Sequence, residues 1–249
     1  MHTHLNPTFS IITVTYNAAA TLEDTIQSVI AQTYHHIEYI LIDGGSKDNT
    51  LNIINQYRDH ISRVISEPDK GLYDAMNKGM QLATGDYLCF LNAGDSFHED
   101  NTLQQMVHSL RNESQLPDIL YGETALVNKE GHFIRMRRLS APKILTWQSF
   151  RHGMLVCHQA FFARRILVEP YNLKYRFSAD FDWCIRILKK SQTTHNTNLT
   201  LIDYLNEGMT TQNHQASLRE RFHIMVHHYG WLNTILYHGW FVLRLLLKK

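Results

Sequence analysis

Short apolar runs alternate with stretches of helical periodicity along the first ninety residues. The runs Phe9–Thr15 and Ile37–Asp43 are continuous and short, which is typical of strands buried on both faces of a parallel sheet. Between them, Leu22, Ile26 and Val29 recur at the spacing of one helix face. This βαβα alternation favours an α/β fold, a three-layer sandwich with a mostly parallel central sheet, over an all-α or all-β fold.

Two of the predicted strands end in acidic loops. The second run delivers Asp43 to a Gly-Gly turn, and a later strand, residues 87–91, leads into the loop Asn92–Asp95. Because the carboxyl ends of parallel strands lie on one edge of a sheet, we expect Asp43 and Asp95 in the same crevice. Such a crevice suits a base or ribose together with a divalent cation on phosphates. The alternative is that Asp43 serves only as a local cap of a strand-to-helix turn.

Composition argues against several other classes of protein. The loop after the first strand, TYNAAAT, has no glycine, so it carries neither a GxGxxG dinucleotide motif nor a P-loop. A balance of 24 basic and 23 acidic residues, formally +1, argues against broad binding to nucleic acid. The scattered cysteines Cys89, Cys157 and Cys184 are typical of reduced, buried thiols, and the N-terminus shows no signal-peptide pattern. We therefore expect a cytoplasmic protein.

The second half of the chain is less regular. An amphipathic helix is predicted over residues 99–111, and a later hairpin turns at Asn128–Gly131. A further strand is predicted at Cys157–Phe162, and a helix capped by Ser178 follows. Residues 198–206 complete the predicted strands.

The last residues have the composition of a membrane-surface helix. After a helix predicted from about Ala216, the segment 231–249, WLNTILYHGWFVLRLLLKK, is rich in leucine and tryptophan but interrupted by polar residues. It falls short of the ~18 uninterrupted apolar residues of a spanning helix, so we expect an interfacial anchor. The alternative is a helix that packs on the domain or on another subunit. The motif HxxxHH at His223–His228 lacks a nearby acidic partner, and we do not interpret it as a metal site.

Four segments together resemble family 2 glycosyltransferases of the GT-A fold, and among them small bacterial enzymes that build colanic acid and similar surface polysaccharides. They are FSIITVTYNAAATLEDTIQSV, YILIDGGSKDNT, SEPDKGLYDAMNKGMQLATGDYLCFLNAGD and SADFDWCIRIL. The resemblance covers roughly residues 9–210. It implies a nucleotide-sugar-binding half at 1–96, an acceptor-binding half of the same domain at 97–212, and a C-terminal helical segment at 213–249.

The resemblance also assigns roles on the donor side. It implies that Asp43 hydrogen-bonds the nucleotide base and that Asp95 is the metal-side carboxylate, with Mg²⁺ or Mn²⁺ held largely by the donor's diphosphate. The family often has a second acid where Gly44 stands and the first acid of a pair where Gly94 stands, so both glycines are departures. The residues implied in donor binding are Thr15, Asn17, Asp43, Gly44, Asp69, Lys78, Asn92 and Gly94.

On the acceptor side the resemblance implies a catalytic base. Asp180 aligns with that base, while Ala179 replaces the Glu that normally precedes it, and Asp182 supports the helix or the binding site. His158, in HQAFF, stands where the family has a His-Gln motif lining the acceptor cleft. The alternative for Asp180 and Asp182 is that acids in a first helical turn simply stabilise the helix.

The expected reaction is an inverting transfer of a sugar, from a nucleotide sugar that is expected to be UDP-linked, to a hydroxyl group. The acceptor is expected to be a glycan or an undecaprenyl-linked saccharide, met at the inner face of the cytoplasmic membrane. A basic cluster of three arginines at 135, 137 and 138 with Lys143 has two interpretations, contact with a phosphate of such an acceptor or a solvated run of charges.

Two other classes of protein compete with this interpretation. A non-catalytic binding or scaffold protein on the same fold is conceivable because Gly94 and Ala179 replace acids, and donor turnover would distinguish it. A sugar nucleotidyltransferase would need a glycine-rich, basic loop after the first strand, and TYNAAAT is neither.

Overall fold

The computed structural model describes residues 5–206 and 214–246. The strands are β1 (Phe9–Thr15), β2 (Ile37–Asp43), β3 (Arg63–Ser66), β4 (Tyr87–Phe90), β5 (Ser96–Phe97), β6 (Ile119–Val127), β7 (Phe133–Met136), β8 (Phe161–Arg164) and β9 (Thr194–Leu205). The helices are α1 (Leu22–Ile30), α2 (Thr50–Gln56), α3 (Leu72–Leu82), α4 (Thr102–Ser109), α5 (Ala179–Lys190), α6 (His214–Tyr229) and α7 (Trp231–Leu246).

The described strands form one sheet in the order β3-β2-β1-β4-β8-β6-β9-β5, with β7 beside the end of β6. Strands β1 to β4 are mutually parallel, as the βαβα alternation predicted for this part of the chain. Thr15 pairs with Asp43, and Asp43 pairs with Ser66, so three strands end side by side. The carboxyl edge of this parallel region is therefore one continuous rim.

The sheet becomes mixed in the second half. Strand β8 runs antiparallel between β4 and β6, whereas β6 and β9 are parallel. The predicted strand at Cys157–Phe162 was wrong in its first part, because residues 158–160 form a 3-10 turn closed by a hydrogen bond of 3.0 Å from the Ala160 N–H to the Cys157 carbonyl. The predicted helix at 99–111 is shorter, and the predicted strand at 198–206 begins earlier, at Thr194.

Two helices complete the chain. Helix α6 packs against α5, and α7 packs against a 3-10 helix, Trp147–His152. The rings of Trp147 and Tyr229 stack with centroids 5.4 Å apart, which fixes α6 to that 3-10 helix. Among the described residues, no helix is both long enough and apolar enough to cross a membrane.

Candidate active site

The loops after β1 and β2 are tied together at the rim of the sheet. Asn17 adopts a φ of +48°, a conformation that asparagine tolerates better than most residues. Its backbone N–H donates to Ser46 Oγ at 2.8 Å, and its side-chain oxygen accepts the Lys47 N–H at 2.8 Å. Asn17, predicted on the donor side, thus connects the two loops through two hydrogen bonds, and we call the connected loops the platform.

Asp43 lies beneath this platform and is fully buried. Its carboxylate accepts the N–H groups of Gly45 and Ser46, each at 3.1 Å, and the Ser66 hydroxyl at 2.6 Å. The Ser46 hydroxyl also donates to it. In this structure Asp43 therefore closes the turn, as its local-cap interpretation predicted, and its contact with a nucleotide base stays a prediction.

Another carboxylate stands where the family's second acid would be. A Cβ atom added to Gly44 would lie 2.8 Å from Asp69 Oδ2 and 3.3 Å from the Tyr16 ring. Lys78 Nζ contacts Asp69 at 2.5 Å and Glu67 at 2.9 Å, so two carboxylates neutralise its charge. Asp69 and Lys78, both predicted on the donor side, are thus already paired with each other.

Tyr16 is a site residue that the sequence interpretation missed. Its side chain is 63% exposed although it follows directly on a fully buried strand. A nucleobase can stack on the exposed face of the Tyr16 ring. The nearby carboxylate of Asp69 can accept hydrogen bonds from the edge of the same base. The signal was an aromatic residue at the exit of a strand.

Three buried polar atoms at the site have no hydrogen-bond partner among the described residues. They are Thr15 Oγ1, Asn92 Oδ1 and His158 Nε2. Buried polar groups are nearly always paired, so a group without a partner often marks the place of a ligand. All three belong to residues predicted on the donor or acceptor side.

Asp95 is buried at the exit of β4, against the end of β9. Its carboxylate accepts the Gln159 side-chain amide at 2.9 Å and the Leu205 N–H at 3.1 Å. Burial raises the pKa of Asp95 to about 7, even though both hydrogen bonds and the charge of His158 work to lower it. A proton therefore competes for this carboxyl group near neutral pH.

An acid at Gly94, where the family has one, would strain the backbone and require the Leu205 side chain to move. Its φ is +102°, and a Cβ atom would come within 2.8 Å of Leu205 Cδ2. The end of β9 therefore occupies the space of the missing side chain. Asn92, the first residue of this loop, contributes the buried carbonyl oxygen described above.

The residues present fit a divalent cation only if a ligand supplies most of the coordination. Within the described ranges, no group of three or more His, Cys, Asp or Glu side chains could hold a metal ion. Mg²⁺ commonly takes one or two carboxylates and completes its shell with phosphate oxygens and water. Each oxygen of Asp95 accepts one protein hydrogen bond and retains a free lone pair. Asp95 can thus supply the protein's share of such a site.

Asp180, at the start of α5, is held by two distant side chains. The Tyr73 hydroxyl donates to Oδ1 at 3.0 Å, and His158 Nδ1 lies 3.4 Å from Oδ2. Burial works to raise the pKa of Asp180, but the hydrogen bond and charge of His158, the charge of Arg221 and the Tyr73 hydroxyl hold it below its ordinary value. Asp180 is therefore ionised at neutral pH, as a general base must be.

Helix α6 holds the segment that leads to Asp180. Glu220 accepts the N–H groups of Arg176 at 2.8 Å, Phe177 at 2.8 Å and Ser178 at 2.9 Å. Ser178 does not cap α5 with its own side chain, contrary to the prediction, because its hydroxyl is bonded to Ser217 Oγ at 2.9 Å. Glu220, about forty residues away, thus fixes the backbone immediately before α5, and no local pattern could have revealed this contact.

Asp182 also faces α6. It is 3% exposed and accepts hydrogen bonds from Arg186 Nε and His228 Nε2, both at 2.8 Å. Lys189 Nζ lies 2.9 Å from the other ring nitrogen of His228. The structure thus favours the helix-supporting role for Asp182, and the histidine motif serves here as a tie between two helices.

Two consecutive residues connect the two carboxylates of the site. His158 contacts Asp180, while the next residue, Gln159, donates to Asp95. Both side chains are buried, and they belong to the 3-10 turn that leads into β8. The structure therefore brings together Asp95, His158 and Asp180, which the sequence analysis placed on donor, acceptor and catalytic sides.

A family model identifies the chain. The model described as Glycosyl transferase family 2 matches residues 10–169, a segment that includes the donor-side rim, Asp95 and His158. This chain belongs to glycosyl transferase family 2. The matched segment ends before Asp180, so the role of that residue rests on the resemblance and on the geometry above.

Sequence relatives of this family 2 chain include glycosyltransferases named for two biosynthetic processes. A PGL/p-HBAD biosynthesis glycosyltransferase from Mycobacterium bovis is 39% identical over 186 residues, covering 72% of this chain and 69% of the relative. A putative teichuronic acid biosynthesis glycosyltransferase, TuaG of Bacillus subtilis, is 27% identical over 237 residues, covering 90% of this chain and 92% of the relative.

Solved structures confirm the GT-A fold. S. aureus TarS 1-349 in complex with UDP superimposes with a TM-score of 0.66 at 15% identity, covering 88% of this chain and 65% of that one. A mannosyltransferase from Pyrobaculum calidifontis, in complex with GDP-Man and Mn²⁺, gives a TM-score of 0.62 at 14% identity, covering 90% and 65%. The chain thus spans about two thirds of the length of these solved chains, and at such identities the likeness concerns the fold.

Proposed function

We propose that this protein is an inverting glycosyltransferase that moves a sugar from a UDP-linked donor to a hydroxyl of a growing, lipid-linked surface polysaccharide. The observation that carries the proposal is the environment of Asp180. It is a carboxylate kept ionised by Tyr73, His158 and Arg221, and the residue after His158 donates to the other buried carboxylate, Asp95. An ionised carboxylate is the group required to deprotonate a sugar hydroxyl.

The donor would bind across the rim of β1, β2 and β4. Tyr16 and Asp69 suit the face and the edge of a nucleobase, and Thr15 Oγ1 and Asn92 Oδ1 are the unpartnered atoms nearest the exits of their strands. UDP is our choice of nucleotide because TarS, which shares the fold, has been solved with UDP and with UDP-GlcNAc. Asp43 supports this site from below.

The chemical step is a direct displacement. The acceptor oxygen forms a bond to the anomeric carbon while the bond to the donor's diphosphate breaks, and the hydroxyl proton passes to Asp180. Attack from the face opposite the leaving group inverts the anomeric centre. A Mg²⁺ or Mn²⁺ ion on the diphosphate, held from the protein side by Asp95, would neutralise the charge of the leaving group. His158 positions Asp180 and presents Nε2 to the acceptor cleft.

We place the enzyme at the cytoplasmic face of the membrane through α7. This helix exposes Trp231, Leu232, Ile235, Leu236 and Trp240, with Leu232 81% exposed. Exposed tryptophan and leucine on one helix are typical of an element that lies in the headgroup region of a bilayer. Replacing Trp231, Leu232 and Leu236 with serine should release the protein from membranes, and an unchanged membrane fraction would contradict the anchor.

Donor binding is the first test of the function. A thermal-shift screen of the purified chain against UDP-, GDP- and dTDP-sugars, with and without Mn²⁺, should give a metal-dependent shift with a UDP-sugar, because a ligand of the folded state must stabilise it. The donor that shifts the transition is then assayed for transfer. No shift with any donor would favour a non-catalytic scaffold protein on this fold.

A further inference from the structure

The near-neutral net charge conceals an uneven distribution of acids. All 23 acidic residues lie within residues 1–130 and 169–220, so the stretches 131–168 and 221–249 contain none. The first of these stretches is nevertheless rich in basic residues. They are Arg135, Arg137, Arg138, Lys143, Arg151, Arg164 and Arg165.

The first acid-free stretch also exposes large apolar side chains. All four residues of β7 are exposed, and among them Phe133 is 62% exposed and Ile134 is 47% exposed. Ile144, further along, is 75% exposed. A merely solvated run of charges gives no reason for apolar residues between the arginines, and a cluster of exposed apolar side chains usually marks an interaction surface. We call Phe133, Ile134, Arg135, Met136, Arg138 and Ile144 the hairpin face; successive β7 side chains point to opposite sides of the strand, and both sides are exposed.

Contacts through residues 147–155 join the hairpin to α7. The Arg137 guanidinium donates to the Met154 carbonyl at 2.8 Å. Nearby, the ring of His152 packs against that of Tyr237 in α7, with centroids 5.0 Å apart. Arg151 lies over the Tyr229 ring at 5.3 Å. Residues 147–155, which belong to the first acid-free stretch, thus pack against the second.

We propose that the hairpin face and the exposed side of α7 form one surface that binds an anionic lipid bilayer. Apolar side chains would enter the headgroup boundary, while Arg135 and Arg138 would pair with lipid phosphates. A protein partner fits less well, because charged residues are depleted at the cores of protein interfaces and here arginines alternate with the apolar side chains. The inference rests on the proposed membrane location and adds a second, hairpin contact to it.

Vesicle flotation of the full chain tests the basic part of the surface. With phosphatidylcholine vesicles containing phosphatidylglycerol, the double variant Arg135→Ser, Arg138→Ser should lower the partition coefficient about thirtyfold at low salt. The matched control is Arg63→Ser, Arg111→Ser, two exposed arginines outside both stretches, which should change binding less than threefold. An unchanged partition of the hairpin variant, or an equal loss in the control, would overturn the proposal.

A fluorescent label tests the apolar part directly. The native cysteines are all buried, so an NBD group can be attached selectively to Ile134→Cys. Its emission should shift to the blue with anionic vesicles, whereas a label on Leu173→Cys, an exposed leucine outside the stretches, should not respond. A shift produced by inorganic pyrophosphate instead of vesicles would indicate a phosphate site for a soluble acceptor and overturn the bilayer proposal.

The proposals can fail separately. If serine variants of Leu232 and Leu236 release the protein while the hairpin variants and the label at 134 do nothing, the α7 anchor stands and the hairpin inference falls. If neither the wild-type protein nor any variant binds vesicles, both membrane proposals fall. The thermal shift with nucleotide sugars then still tests glycosyl transfer.

Discussion

Asp95 and Asp180 are two buried carboxyl groups with opposite electrostatic environments. Asp95 is bonded to a neutral amide and a backbone N–H, and burial raises its pKa to about 7. Asp180 has the charges of His158 and Arg221 around it, and its pKa is held below its ordinary value despite burial. The consecutive residues His158 and Gln159 contact one carboxyl group each.

This contrast separates the chemical roles of the two groups. A base must be ionised before the reaction, and Asp180 meets that condition with the protein's own residues. Asp95 lacks a cationic partner at hydrogen-bond distance among the described side chains, so a bound cation is what would favour its ionised form. Pairs of titratable groups whose environments push their pKa values apart are a recurrent sign of divided labour in active sites.

The largest effect is expected from removing the charge of Asp180. Asp180→Asn keeps the shape and the Tyr73 contact but cannot accept a proton, so kcat should fall about a thousandfold, within the usual range for a general base. Donor affinity, measured by titration with the nucleotide sugar, should change less than threefold. A variant that transfers sugar at a rate close to wild type would remove Asp180 from the base role.

The second expected effect concerns competition between a proton and a cation at Asp95. Because its pKa is about 7, a cation must displace the proton at lower pH, and Mn²⁺-dependent donor affinity should fall about tenfold per pH unit below neutrality. In Asp95→Asn this pH dependence should be absent, and the increase in donor affinity that Mn²⁺ produces should be at least about tenfold smaller than in the wild type. A wild-type affinity that is constant from pH 5.5 to 8 would contradict the metal-side assignment.

The same raised pKa makes the stability of the folded protein depend on pH in a definite direction. The folded state binds the Asp95 proton more tightly than the unfolded state, so this group contributes stability at low pH that is lost as the pH rises from about 3.8 to about 7. In Asp95→Asn that loss should be absent. Thermal melts of both proteins at pH 5 and 8, without metal, provide the measurement and do not depend on activity.

A smaller effect is expected at His158, which acts through Asp180. Replacing it with glutamine should raise the pKa of Asp180, because the hydrogen bond and charge of His158 work to lower it. Since only ionised Asp180 accepts a proton, the acidic limb of the kcat profile should move to higher pH, and the loss of kcat should be larger at pH 5 than at pH 7. A lower kcat with an unmoved limb would mean that His158 only fills space.

Features set by neighbouring residues could be predicted from the sequence, whereas contacts between residues far apart in the chain could not. The parallel strands and the positions of Asp43 and Asp95 followed from apolar runs and their polar exits, which are local patterns. The partners of Asp180 did not, because Tyr73 lies 107 residues away. The turn at His158–Ala160 was interpreted as a strand because a buried, apolar surrounding looks the same in both. What sequence could not supply was the packing of α6 on α5.

The smallest predicted effect tests whether that packing belongs to the active site. Glu220 accepts three backbone N–H groups immediately before Asp180, and its removal leaves them unpaired near the start of a helix. Glu220→Ala should lower kcat about fivefold and the melting temperature by a few degrees, while Glu220→Gln, which keeps an acceptor oxygen, should recover most of both losses. A variant of the neighbouring contact, Ser217→Ala, controls for loosened helix packing. If Glu220→Ala lowers the melting temperature but leaves kcat and its pH profile untouched at a temperature where it is folded, the contrast between the two carboxylates does not extend to α6, and α6 is a structural support only.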